Sequence, residues 1–393
     1  MHSMRVSFVV ATLGFLSLSL SSFATTYYVS DGTGDDANTG LSWVAAKKTI
    51  QAGVDAAADG DTVLVTNGVY NSGSRSAPEG TNRVVITMGI KVQSVNGPEA
   101  TIIDGAAAMR CVYLATNCAS LVGFTLTNGF ASSYGGGAYA NFATVSNCVI
   151  SGNYVTNANA GFWWLGGGGV YQGALYNCIV RGNRAPSGGG LNWCNAYNSM
   201  ISENIATFNG GGVFDSPHIR NCIIQINTAN EGGGGYYGSY ENCTIVSNAA
   251  LLSGGGVSQS GLGSKNNIIY YNMAPEAGNH TNSVFSYTCS TPLLDGDGNI
   301  SSPPQFGGGN YGLAPDSPCV NTGTNEDWMV GASDFAGNPR ILYGTVDMGA
   351  LEFQPSCLAA ISPTSATYGV AGGSGSLQIT SDPDCSWTVY QTA

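Results

Sequence analysis

The residues best able to do chemistry lie in one short stretch, Asp215-Ser216-Pro217-His218-Ile219-Arg220. A carboxylate, an imidazole and a guanidinium within six positions could abstract a proton from a uronic acid. Glu203 and Arg181 fall in neighbouring repeats and complete that set. The competing reading is a polar corner between two strands, because turns collect Asp, Pro and Ser for conformational reasons.

A second group is aromatic. Tyr139, Tyr171, Phe214 and Tyr237 fall in one register after glycine runs, interrupted by Asn192 and followed by Ser258. They are expected to alternate with the inward residues Ala138, Val170, Leu191, Val213, Tyr236 and Val257. An insertion at 154–165 adds Trp163 and Trp164, with Trp193 close by. Exposed rings on a rigid face suit stacking against sugars, or they form a ladder that stabilises stacked strands. A third group, Asp295, Asp297 and Asn299, spaces three oxygen ligands at alternate positions, as a calcium loop begins. Phe306 stands where such a loop needs its glutamate, so calcium is a weak candidate and no other cofactor is expected.

What positions these residues is a repeat. Asn147-Cys148, Asn177-Cys178, Asn198-Ser199, Asn221-Cys222, Asn242-Cys243 and Asn266-Asn267 begin units 21 to 30 residues long. A second Asn follows six residues later in each: Asn153, Asn183, Asn204, Asn227, Asn248 and Asn272. Glycine runs start at Gly166, Gly188, Gly210, Gly232 and Gly254. Cys and Ile two apart point to one face of a short strand. The second Asn is expected at a left-handed corner, with its amide bonded to the next rung. The glycines mark another corner. A period of about 22 residues with corners in register is one coil of a β-solenoid. The fold expected is therefore all-β, a parallel β-helix. Leucine-rich repeats would need a leucine ladder, and propellers a longer period.

Composition agrees. Gly supplies 57 of 393 residues and Asn 34, while charged residues are only 9%. Lys plus Arg less Asp plus Glu is 12 − 24 = −12, which argues against a nucleic-acid partner. Residues 1–24 read as a secretory signal, with Arg5, an apolar run at 6–20 and Ser22-Phe23-Ala24 before the cut. No later stretch is apolar enough to cross a bilayer, so the expected location is secreted or cell-surface. Eleven cysteines leave at least one unpaired thiol. Cys357 and Cys385 could pair, whereas Cys148, Cys178, Cys222 and Cys243 read as buried small hydrophobes. Residues 25–105 are expected to form an N-terminal cap and first coils, with an amphipathic capping helix at 42–58. The Asn/Gly-rich coils follow at 106–290, a closing part at 291–353, and a last segment at 354–393.

Several stretches resemble known families. Tyr27-Tyr28-Val29-Ser30, Ala46-Lys47-Lys48-Thr49-Ile50-Gln51-Ala52, Gly60-Asp61-Thr62-Val63-Leu64-Val65 and Gly68-Val69-Tyr70 resemble the opening of secreted right-handed parallel β-helix proteins of the pectate-lyase-like superfamily, which implies a right-handed parallel β-helix here. The Asn and triple-Gly coils resemble repeats of polymorphic outer-membrane proteins. Asp316-Ser317-Pro318-Cys319-Val320-Asn321 and the stretch from Asp334 to Glu352 are similar to the end of a choice-of-anchor Q domain. Ile361-Ser362-Pro363 and Cys385-Ser386-Trp387-Thr388-Val389 resemble the first half of a BACON domain, which implies a partial β-sandwich segment. The superfamily includes polysaccharide lyases and hydrolases. The polygalacturonase-like pattern, which combines paired Asp residues with a Gly-His-Gly and an Arg-x-Lys, does not occur here, nor does a cluster of outward acids for a calcium-dependent lyase site in the repeats. The expectation is a carbohydrate-binding or adhesin-like β-helix without catalysis, with a glycan surface as partner. The alternative is a lyase or hydrolase acting on an acidic polysaccharide. Oligomeric state is not legible.

Overall fold

In the computed structural model the described residues are 24–156, 164–354 apart from 262 and 310, and parts of 359–381. The putting-together is a parallel β-helix. Its walls are sheets of seventeen, ten and six strands, and nearly all neighbours pair in parallel. In the seventeen-strand sheet a typical coil runs as two short strands separated by a corner, which merge into one longer strand in Val213–Arg220 and Gly235–Glu241. It then crosses the ten-strand and the six-strand sheets before a glycine corner returns it.

The repeat pattern explains the interior. In the ten-strand sheet Ile103, Leu126, Ile150, Val180, Ile201, Ile224, Ile245 and Ile269 stand in one register and are fully buried. Each such side chain taken from water contributes roughly 1.5–3 kcal/mol. Cys148, Cys178, Cys222 and Cys243 are buried beside this column and all are free thiols, as the repeat position implies. In the seventeen-strand sheet Val112, Ala138, Val170, Leu191 and Val213 form a second column. The column then meets Gly235. A Cβ there would lie 1.9 Å from the Tyr240 hydroxyl oxygen. The missing side chain is what lets the fully buried Tyr240 ring into the core.

The second Asn of each unit forms the amide ladder expected of it. Asn227 Nδ2 donates to Asn248 Oδ1 at 2.9 Å and to Ile201 O at 2.9 Å. Its Oδ1 accepts from the backbone N and Nδ2 of Asn204, at 2.9 and 3.0 Å. The same pattern joins Asn153, Asn183, Asn204, Asn248, Asn272 and Asn279. The left-handed conformation lies elsewhere than expected. It belongs to the first Asn, as at Asn177 (φ 53°) and Asn221 (φ 52°), and to the residue just before the ladder, as at Glu203 (φ 60°) and Ile226 (φ 56°). A ladder amide must aim along the solenoid axis, so the bend is taken one residue earlier.

The glycine corner is a close approach of backbones. Gly210 is left-handed (φ 65°), and a Cβ on Gly211 would meet Gly233 O at 2.4 Å. At the N-terminal end the helix is shorter than 42–58. Only Ile50–Ala56 is helical, capped by the Thr49 hydroxyl, and Trp43 and Val44 are exposed. Gly40 and Ser42 break the pattern with turn bonds to Ala45.

Within the closing part (291–353), residues 321–353 lie along the outside of the last coils. The first Asn of three units holds it. Asn266 Nδ2 donates to Thr324 O at 2.9 Å, Asn221 Nδ2 donates to Ser333 O at 2.9 Å, and Asn242 Nδ2 donates to Asp347 O. Beyond it, Ala359–Ser362 and Gln378–Ser381 pair antiparallel. Residues 1–23, Trp163, Cys357 and Cys385 lie outside the described residues.

Candidate functional site

The corner inside the seventeen-strand sheet brings together three of the expected site residues, Trp193, Asp215 and Tyr237. One residue per coil is left-handed there: Gln172 (φ 55°), Trp193 (56°), Asp215 (46°), Tyr237 (45°) and Gln259 (56°). That backbone turns each side chain out of the strand and stacks the five along the axis. Trp193 and Tyr237 are 45% and 43% exposed, one coil to either side of Asp215. Together with Pro217, Ser239 and Gln259 they line an open groove of about 380 Å³. The strand Val213–Arg220 carries one residue more than its neighbours. Phe214 pairs with Asn192 but His218 with Asn195, and the register shifts again against the strand Gly235–Glu241. This is a β-bulge beside Asp215, and bulges re-aim side chains.

Asp215 makes no ion pair and no side-chain hydrogen bond among the described residues. Partial burial against the groove walls is the sole cause that raises its carboxyl pKa from the ordinary value. The carboxylate itself remains exposed.

The other charged candidates do not join it. Arg220 lies further along the strand, opposite Tyr197. Its Nη2 is 2.7 Å from Glu241 Oε2, and its guanidinium stacks 4.1 Å above the Trp328 ring. Glu241 Oε1 in turn accepts from Trp328 Nε1 at 2.8 Å. Arg220 therefore fastens the closing part to the solenoid. Glu203 sits at the corner between the ten-strand and six-strand sheets, and Arg181 lies in the ten-strand sheet opposite Ser202. Both are on other walls. His218 is exposed beyond the bulge. The acid, imidazole and guanidinium set thus dissolves into an Asp on one corner, a lone exposed His, an Arg on an ion pair, and two residues elsewhere. Sequence proximity misled because the left-handed corner at Asp215 and the bulge after Ser216 lie between the acid and the other two, and the extended chain carries Arg220 further along the sheet.

The aromatic group divides as well. Tyr139 and Tyr171 are in register, their rings 5.1 Å apart. Tyr113 precedes them at 5.2 Å, and Tyr134 stacks on Tyr171 at 4.3 Å. Tyr171 lies 6.4 Å from Trp193, and Phe142 lies 6.5 Å from Trp193. A band of rings therefore leads along the axis to the groove. Phe214 is not on its open surface. It is 4% exposed and stacks at 5.8 Å on Tyr236. Tyr236, not Tyr237, is its register partner, so Tyr236 does not face inward and Tyr237 is the left-handed corner residue. The inward place is taken by Gly235. Trp164 is 43% exposed. Beneath Tyr139, at 5.6 Å from its ring, Arg110 is buried. It donates to Asn82 Oδ1 at 2.7 Å and to Gly135 O at 2.8 Å, and burial lowers its pKa to about 10. Tyr113 and Tyr134 escape sequence reasoning because the coil of Tyr113 carries no glycine run and Tyr134 precedes one.

The calcium candidate fares differently. Asn299 Oδ1 accepts from Thr288 N at 2.9 Å, and its Nδ2 donates to Phe285 O at 2.8 Å. The amide is a structural cap and leaves only Asp295 and Asp297 as acids. Among the described residues no group of three or more His, Cys, Asp or Glu side chains is placed to hold a metal ion. No helix among them is long and apolar enough to cross a membrane.

No protein-family model and no curated protein matches the sequence. Solved structures of similar shape include a pectate lyase, Pel9A, 16% identical, with a TM-score of 0.50 over 85% of this chain and 97% of that one. Two others are XylC in complex with xylose (9% identical, TM-score 0.37, 69% of this chain and 75% of that one) and the GH136 lacto-N-biosidase from Eubacterium ramulus (10%, 0.33, 68% and 58%). The first likeness shows the fold, a pectate-lyase-like parallel β-helix. The other two carry no argument.

Proposed function

We propose that the chain is a carbohydrate-binding, adhesin-like β-helix presented outside the cell, and that it holds a glycan along the aromatic band and in the groove at Asp215. One observation carries the reading. Two exposed rings, Trp193 and Tyr237, flank an unpartnered carboxylate on successive corners of a rigid wall. Rings bind the apolar faces of a pyranose, and a carboxylate accepts from its hydroxyls. The leader-like residues 1–24, and the resemblances of 291–353 to a choice-of-anchor Q domain and of 354–393 to a BACON module, support display at a surface. A fold shared with a pectate lyase supplies the scaffold only, since function belongs to the site.

The test is a glycan array followed by calorimetry on the strongest hit. Trp193→Ala and Tyr237→Ala, each checked for an unchanged circular dichroism spectrum, should each weaken binding about tenfold, near 1.4 kcal/mol. Unchanged affinity in both variants would overturn the reading.

Polysaccharide cleavage is the second reading. Its support is the raised Asp215 carboxyl, because a perturbed acid in a cleft is a candidate base. Ultraviolet detection of unsaturated uronate product, lost in Asp215→Ala, would establish it in place of simple binding.

A further inference from the structure

We infer that the groove at Asp215 selects neutral pyranosides and rejects uronates; this rests on the glycan-binding reading above. Asp215 is the one carboxylate, and no Lys, Arg or His stands beside it, among the groove-lining residues Trp193, Asp215, Pro217, Tyr237, Ser239 and Gln259. The others offer two rings, a hydroxyl and an amide. Among the described residues no cation lines the groove to receive a sugar carboxylate. The nearest arginine along the strand, Arg220, is held by Glu241 at 2.7 Å and covered by Trp328. On the next coil along, the residue opposite Arg220 is Glu241, an acid.

A bridging metal would be the other way to seat an acidic sugar. Asp215 has no second acid beside it, and no acid or histidine cluster able to hold an ion occurs among the described residues. A uronate would therefore bring its carboxylate against Asp215 with nothing between them, in a partly desolvated groove where like charges repel more strongly than in water. A neutral hexose meets none of this. Its hydroxyls donate to the Asp215 carboxylate, and a charged acceptor makes such bonds stronger than neutral ones. The left-handed backbone at Asp215 (φ 46°) holds its side chain out of the strand ladder at that position.

The experiment is titration calorimetry on the full secreted chain, without and with calcium. The ligands are neutral hexasaccharides in the gluco, manno, galacto and xylo series, hexagalacturonate, and fully methyl-esterified hexagalacturonate. At least one neutral ligand should bind tenfold or more tightly than hexagalacturonate. Asp215→Asn should weaken the neutral ligand and strengthen hexagalacturonate, so that the ratio collapses. Asn suits this variant because it tolerates left-handed backbone and keeps the shape. Hexagalacturonate binding as tightly as every neutral ligand, or binding that requires calcium, would overturn the selectivity and leave the glycan reading in place. Failure of every ligand, neutral and acidic together, would remove the glycan reading and this inference with it.

Discussion

At the scale of single residues, the fold turns on buried groups whose every bond is used. Asn227 gives two amide protons and accepts two, all inside the solenoid. Asn227→Ala would strand the backbone N–H and one amide proton of Asn204 and the carbonyl of Ile201. Each orphan costs about 1–3 kcal/mol, so the variant should lose about 3–5 kcal/mol in urea unfolding. A loss below 1 kcal/mol would mean that water or a neighbour replaces the amide. The ladder's existence is legible in the six-residue Asn spacing. The placement of the bend is not. An Asn satisfies both a left-handed backbone and an axial amide, and only the structure separates the two roles between Asn221 and Asn227. Gly211→Ala is a second residue-scale test. The new Cβ would fall 2.4 Å from Gly233 O, a backbone atom that cannot swing aside. We expect a loss of about 2–4 kcal/mol, since such strain is among the mechanisms of large destabilisation.

At the scale of elements, the closing part is held by a buried charge cluster. Arg340 is fully buried, with Nη2 2.5 Å from Glu352 Oε1, and Asp347 and Asp334 are buried nearby. Three acids face one base. Burial and the charge of Asp347 outweigh the attraction of Arg340 and push the Glu352 carboxyl up to about 7; burial raises Asp347 as well. A carboxyl whose folded pKa lies above its ordinary value of 4.5 takes up protons on folding. Its stabilising contribution is fully present below about pH 4.5 and is lost as the pH rises to about 7. Thermal unfolding should show stability falling across that window, by at most about 1.4 kcal/mol per pH unit for one proton. Glu352→Gln should flatten the slope. Stability that climbs through the same window in the parent chain would contradict this account. The sequence marks the segment 334–352 through its resemblance to an anchor domain, yet nothing in it says that Asn221, Asn242 and Asn266 are the solenoid residues that receive it.

At the scale of the whole molecule, charge sets the terms of binding. With a net charge of −12, the chain repels polyanions at long range, and salt screens that repulsion. Affinity for a neutral glycan should stay flat as sodium chloride is raised, while any residual uronate binding should strengthen. A neutral-glycan affinity that falls steeply with salt would point to an ionic contact absent from the groove. The sequence by itself determined the solenoid. Its period, its Asn and Gly corners and its inward Cys and Ile are local rules repeated in every coil, and a repeated local rule is visible in one dimension. The site is different in kind. Asp215 meets Trp193 and Tyr237 because 22 residues of each coil bring corners of one left-handed file side by side. Arg220 leaves that group because it lies further along the strand, where Glu241 and Trp328, distant in sequence, claim it. A one-residue bulge at Pro217 and the exchange of Tyr236 for Tyr237 decide which side chains reach the groove. Such choices depend on register between coils, and only the tertiary structure decides register.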